Sequence, residues 1–309
     1  MGSIATNNTS ALRGRLSLGV ITALLATYII WGTTYLAIRF VVADVPPFLM
    51  AGTRFLIAGA VMFVFLVARG HRLPDLGQWR SAAIVALFML GGGMGLVAVA
   101  ENLGVSSSLA AALIATVPLW SAVFARWFGR RISRRDWVGI LIGFGGVALL
   151  NLEGDLRANP LAAGLLFISP MFWSLGSQLS NRLDMPEGEM GTAAEMLTGG
   201  LILTLASLVS GERLPDLAAI PSSAWLAWLY LISFGSLLGF SAYMYLLRNV
   251  RPALATSYAY VNPLVALAAG AWLASEQVSW VGLLGIGVVL GAVAFIALGR
   301  SEPASQPAE

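Results

Sequence analysis

The sequence predicts an all-α membrane protein of ten transmembrane helices, arranged as two inverted five-helix repeats. Three observations predict it. Of 309 residues, 58% are hydrophobic and 11% charged, with a mean hydropathy of +0.82, far too apolar for a soluble chain of this length. Apolar stretches of crossing length recur along the chain. The tetrapeptide Arg-Leu-Pro-Asp is written twice, at Arg72–Asp75 and Arg213–Asp216, 141 residues apart.

A helix needs about 20 apolar residues to cross about 30 Å of hydrocarbon. Ten segments qualify, at 17–40, 47–68, 81–102, 106–127, 136–151, 160–180, 190–209, 225–247, 252–274 and 279–299. Residues 1–16 and 300–309 are polar tails, expected in the cytoplasm. Residues 17–151 form the first repeat and 160–299 the second.

Orientation follows from arginine, the chain's only basic residue apart from His71. With the N-terminus inside, 14 of 18 arginines fall on the inner side, Arg130, Arg131, Arg134 and Arg135 among them. The outer loops carry Asp44, Glu153, Asp155, Glu212, Asp216 and Glu276. An even span count returns the C-terminus to the inside. The pI near 9.6 is accounted for by this bias, so no nucleic-acid partner is expected.

The first Arg-Leu-Pro-Asp follows span two and the second follows span seven. Five spans lie between them, and an odd number puts the loops on opposite faces. Other pairs keep the register. Leu56–Ala60 falls on Leu197–Leu201, Trp31 on Trp173, Glu101 on Arg248, and Pro118 on Pro263, with offsets of 141 to 147. Inverted repeats are the usual construction of secondary transporters, since two such halves can exchange conformations about a site between them.

Charges inside a bilayer are costly and mark function. Arg54 in span two and Glu195 in span seven are counterparts. At 1.5 Å per residue each lies about 10 Å deep from opposite faces, so a direct pair needs both side chains stretched. Glu101 ends span three and is a second candidate for coupling or gating, although helix-end charges commonly snorkel to the interface. Pro118 and Pro263 are expected to break spans four and nine and free carbonyls that must face protein or a wet cavity. Trp31, Tyr35, Trp173, Gln178, Tyr243, Tyr258 and Asn262 complete the expected substrate site, an aromatic cavity with a few polar directors. The competing reading of each aromatic is helix packing or the interfacial belt.

No cysteine, clustered acids or nucleotide-binding loop occurs, so no metal, cofactor or direct ATP drive is expected. An enzyme acting on lipids or isoprenoids would need such a cluster. A receptor or structural protein would have no evident use for the repeat. The glycine-rich spans five and ten suggest a homodimer contact.

"YIIWGTTYLAIRF", "PPFLMAGTRFLIAG", "AALIATVPLWSAVFARWFG" and "ALATSYAYVNPLVALAAGAWLASEQVS" resemble the drug/metabolite transporter superfamily in its EamA-domain branch, over residues 17–299. Glu276 matches the family's Glu after the helix, whereas Arg130 and Arg131 stand where an acid is commoner. "AENLGVSSS", "AYMYLLRNV" and "PALATSYAYVNP" are most similar to bacterial inner-membrane members. The resemblance implies export of metabolites, amino-acid-like compounds or drugs from the cytoplasm. The expected partners are therefore a small-molecule substrate and the lipid bilayer.

Overall fold

Helix starts are written into the sequence as caps. Ser17 Oγ accepts from Val20 N at 3.3 Å to open α1 (Leu18–Val42). Pro46 and Pro47 open α2 (Pro47–Ala68) with φ already helical. Asp75 and Gln78 form a reciprocal capping box at the head of α3 (Leu76–Asn102), which therefore begins five residues before the expected 81. Asn159 caps α6 (Pro160–Ser180), its side chain accepting from Ala162 N at 3.1 Å. The remaining rods are α4 (Ser107–Trp127), α5 (Arg134–Leu150), α7 (Glu189–Val209), α8 (three consecutive stretches, Ser222–Tyr230, Leu231–Leu238 and Gly239–Asn249), α9 (Tyr258–Ala274) and α10 (Trp280–Leu298). The computed structural model describes residues 17–129, 134–150, 152, 154–250 and 257–298. Among these there is no strand. Seven helices are long and apolar enough to cross a membrane, and the helices at 258–274 and 280–295 are shorter apolar ones. The expected cytoplasmic tails, Arg130, Arg131 and the Arg248 side chain lie outside the described residues.

The repeated tetrapeptide proves to follow a repeated turn. Gly70 and Gly211 both take the left-handed conformation, with φ of 81° and 73°. His71 N donates to Leu66 O and Glu212 N to Ser207 O, each at 3.1 Å. These are two Schellman endings 141 residues apart. They diverge at the aspartates. Asp75 starts α3 at once, whereas Asp216 only turns the chain, bonding Ala218 N at 3.0 Å, and α8 starts at Ser222. That insertion accounts for the offset drift from 141 to 146.

Both α3 and α8 widen into π-helix, over Leu87–Gly95 and Leu231–Leu238. The glycines there admit bulk from a neighbouring helix. A Cβ on Gly92 would meet Phe172 at 2.5 Å, and one on Gly93 would meet Trp173 at 3.0 Å. In α8, Gly235 lies under Thr34 and Arg54, and Gly239 lies under Trp31. So Trp31 packs on the widened turn of α8, and Trp173 on that of α3.

The most extensive packing joins α2 to α7 and α5 to α10. Next, α1 packs on α9 and α8, while α6 packs on α4 and α3. Exchanging residues 141 to 147 apart carries this set of pairs into itself. Backbone approach is close where glycines meet. A Cβ on Gly200 would lie 2.6 Å from Leu56 N, and one on Gly146 would lie 2.9 Å from Val289 N. Gly146 and Gly285 are thus occupied within the chain, while Gly145, Gly287 and Gly291 look into open space.

One expectation about helix breaks changes, at Pro263, while α4 does break directly before Pro118. The helix of α4 ends at Ile114 and restarts at Val117, placing Pro118 in a first turn, where its missing N–H costs nothing. Pro263 instead lies inside an unbroken α9. Pro170, inside α6, is an additional interior proline.

Candidate functional site

Among these helices lies a small cavity of about 70 Å³. Seven helices wall it. Helix α1 supplies Trp31, Thr34 and Tyr35; α2 supplies Arg54 and Phe55; α3 supplies Met94. Ala111, Ile114, Ala115 and Val117 come from the break in α4, and Trp173 from α6. Phe240 comes from α8, and Tyr258, Ala259, Asn262 and Pro263 from α9. The wall is overwhelmingly apolar.

Trp31 is the centre of an aromatic cluster. Tyr258 stands edge-on to it at 4.8 Å between centroids, and Phe240 and Tyr243 each lie at 5.2 Å. The indole N–H donates to Gly235 O at 3.2 Å, a carbonyl on the widened turn of α8. Tyr243 therefore backs the wall through Trp31 and Tyr258 without being part of it.

Arg54 is the charged residue of the wall and is buried. Its Nε donates to Ser236 Oγ at 2.9 Å, and its guanidinium lies 4.9 Å from the Phe55 ring centroid. It has no carboxylate partner among the described residues. Asn262 is buried in the same wall, and its Oδ1 has no hydrogen-bond donor. The cavity thus offers a cation and a vacant acceptor within an aromatic box.

The other expected residues lie elsewhere. Gln178 is not in the wall; on the last turn of α6 its backbone carbonyl accepts from Arg182 at 2.8 Å. Glu195 is not in the wall and does not pair with Arg54. It is half-buried on α7, with Oε1 enclosed and unpartnered. Glu101 does not snorkel: it is 3% exposed, and neither carboxyl oxygen has a hydrogen-bond partner.

Beside Glu101 is a cluster that the residue pattern left unassembled. Glu276, in the turn between α9 and α10, accepts from Ser107 N at 2.9 Å, Ser107 Oγ at 2.8 Å, Ser108 N at 3.2 Å and Ser108 Oγ at 3.0 Å. It also forms an ion pair with Arg39, in the last turn of α1. Burial pushes this carboxyl up, but the bonds from Ser107, Arg39 and Ser108 outweigh it and hold it below the ordinary carboxylate range. The left-handed Ser275 turns the chain back so that Glu276 lies over Gly270. The available signal was "SSS" heading a helix, a ready anion site, with Arg39 as the cation that ends span one.

The chain and its fold have counterparts among known proteins. The EamA-like transporter family model matches residues 17–152 and again 160–298. The chain is 47% identical to the uncharacterized inner membrane transporter YedA of Escherichia coli strain K12, over 94% of each chain. It is 26% identical to the uncharacterized transporter sll0355 of Synechocystis, over 88% of each. A crystal structure of a protein 22% identical superposes with a TM-score of 0.62, covering 91% of this chain and 96% of that one, a likeness of fold alone. With both halves matched and a near relative spanning almost its whole length, the chain belongs to the EamA-like transporter family.

Proposed function

We propose that the chain is a secondary exporter carrying small metabolites, amino-acid-like compounds or drugs across the bacterial inner membrane by alternating access, with both termini cytoplasmic. The observation that carries this reading is the cavity. Both matched halves build it, and neither could enclose it alone. The helix pairings that map onto themselves, the paired Schellman turns and the paired π stretches support an inverted five-plus-five repeat. Relatives named as transporters favour carriage over catalysis.

The wall also describes a cargo. Arg54 suits an anionic group, Asn262 Oδ1 an N–H or O–H donor, and Trp31 with Tyr258 an apolar or aromatic body. Membrane passage of such a solute needs its charge matched within the protein, because hydrocarbon will not hydrate it. A second copy, if one docks, would use the outward face bearing Gly145, Gly287 and Gly291, since Gly146 and Gly285 are already covered.

The test is efflux from cells overproducing the chain, screened over amphipathic carboxylates and zwitterions. Arg54→Gln should abolish efflux of the anionic solutes while insertion stays normal. Unchanged efflux in Arg54→Gln would remove the cavity from the account. A reporter fused after Arg300 that proves active on the outer side would overturn the orientation.

A further inference from the structure

Two carboxyl groups share one end of the helix assembly, and a cation pairs with one of them. Glu276 has five bonds; Glu101 has none. Both Glu276 and Arg39 lie within electrostatic range of Glu101. Tyr35, one turn before Arg39 on α1, lies in the same field and also forms part of the cavity wall. Among the described residues no further acid or base acts on Glu101, although Tyr258 on α9 lies in the field of Tyr35. Helix α6 carries no titratable residue along 160–180, the first half of α4 carries none, and Arg54 on α2 is turned toward Ser236. Asp44 and Glu212 line a separate surface groove with Val99 and Asn102, and Glu212 is bound there by the head of α2.

An ionised Glu101 in this arrangement would be a bare anion, enclosed, beside a second anion. That state is far too costly to persist unpaired. Two things can relieve it, a proton or Arg39. Arg39 is the movable member. Its side chain is 35% exposed, whereas that of Glu276 is 1% exposed. Glu276 does not depend on Arg39 alone, because two backbone N–H groups and two hydroxyls still hold it.

We propose that Glu101 is a proton-binding site that controls the Arg39–Glu276 tie: protonated while Glu276 holds Arg39, and ionised when Arg39 transfers to it. Proton loss and transfer are then one event. The tie it weakens joins the end of α1 to the α9–α10 turn, which sits on the head of α4. Three walls of the cavity are fastened there. Because a proton favours one arrangement and Arg39 the other, pH shifts the balance between closed and open forms of this end. Tyr35 is the residue common to the proton site and the cavity, so cargo pressing on it is felt at Glu101. This inference rests on the transporter reading for its purpose, but not for its test.

The chain has no cysteine, so two introduced ones report cleanly. Ala43→Cys at the end of α1 and Gln277→Cys beside Glu276 are both exposed positions for spin labels. The label-to-label distance is measured in lipid nanodiscs in acidic and in alkaline buffer. One short population is expected in acid, with a longer population growing in on alkalinisation. Adding Glu101→Gln should hold the short population at every pH, and Glu101→Asp should restore the shift. A distance indifferent to pH in the parent, or a shift that survives Glu101→Gln, overturns the proposal. Should Glu101→Gln fail to insert, infrared spectra of the unsubstituted chain decide. A neutral-carboxyl carbonyl band that moves in Glu101→Asp supports the site, and a band unmoved by that change overturns it. A gate that responds to pH in a chain that exports none of the screened solutes would sink the transporter reading and leave the proton site standing.

Discussion

Glu276 and Glu212 differ from Glu101 and Glu195 in what meets their oxygens. Glu276 caps the head of α4 and pairs with Arg39; Glu212 caps the head of α2, accepting from Phe48 N at 3.1 Å and Leu49 N at 2.9 Å. Glu101 has two enclosed oxygens without partners, and Glu195 has one. The first pair sits in loops outside the helices, where N–H groups at a helix start are free to receive an anion. The second pair sits on helix walls, where backbone donors are already spent. A carboxyl group's neighbours, not its depth alone, decide whether it supports the fold or waits for something else to arrive.

Glu276→Ala breaks the comparison from the structural side and should have the largest effect. It strands Arg39 and four donors, and losing one partner of such a cluster costs about 3 kcal/mol. The thermal midpoint of the purified protein should fall accordingly. The pH dependence has a definite sign. A carboxyl held below its ordinary range stabilises the fold above the ordinary carboxylate range, and that contribution is lost as pH falls through the depressed value. The stability gap between parent and Glu276→Gln should therefore narrow on acidification, and a gap that widens in acid would contradict the assignment.

Glu212→Ala removes only a helix cap and should cost about 1 kcal/mol. The measurement is the same midpoint. A loss as large as that of Glu276→Ala would mean that the loop after α7 ties down more than the start of α2.

Much of this was legible in the residues. Helix placement followed from apolar length, and the paired loops from one tetrapeptide written twice. The aromatic wall was readable in part because Trp31, Tyr35 and Trp173 lie deep within their helices, whereas Tyr258 opens α9. Three things were not legible. The α3 and α8 widenings leave no periodicity of their own, so the seats of Trp31, Trp173 and Arg54 on opposite π stretches emerge only in three dimensions. Gln178 and Glu195 have suitable chemistry at suitable depth, but their helix faces turn away from the cavity. The Glu276 clamp joins residues 39, 107, 108 and 276, too far apart in sequence for spacing to suggest contact.

Gly70→Ala and Gly211→Ala sharpen the comparison of the two loops. Nothing lies within 4 Å of a Cβ at either position, so only the left-handed backbone is penalised. Each change should cost about 1 kcal/mol, and the two costs should agree. Unequal losses in midpoint would show that the matching turns bear different loads.

Glu195→Gln should have the smallest effect on stability and is the sharpest test of the orphan class. Glutamine keeps the size and one acceptor, and Glu195 has no ion pair to lose among the described residues. The midpoint should stay within about 0.5 kcal/mol of the parent. Glu195→Leu goes further, replacing an enclosed oxygen without a donor by methyl groups, and should match or exceed the parent in stability. The informative quantity is then efflux per inserted molecule of a solute that the parent carries. If Glu195 serves transport, both variants fold well and efflux falls in each, because a group held at a cost is being used. If efflux is normal in a stabilised Glu195→Leu, the carboxyl group has no part in transport, and the orphan carboxyls reduce to Glu101 alone.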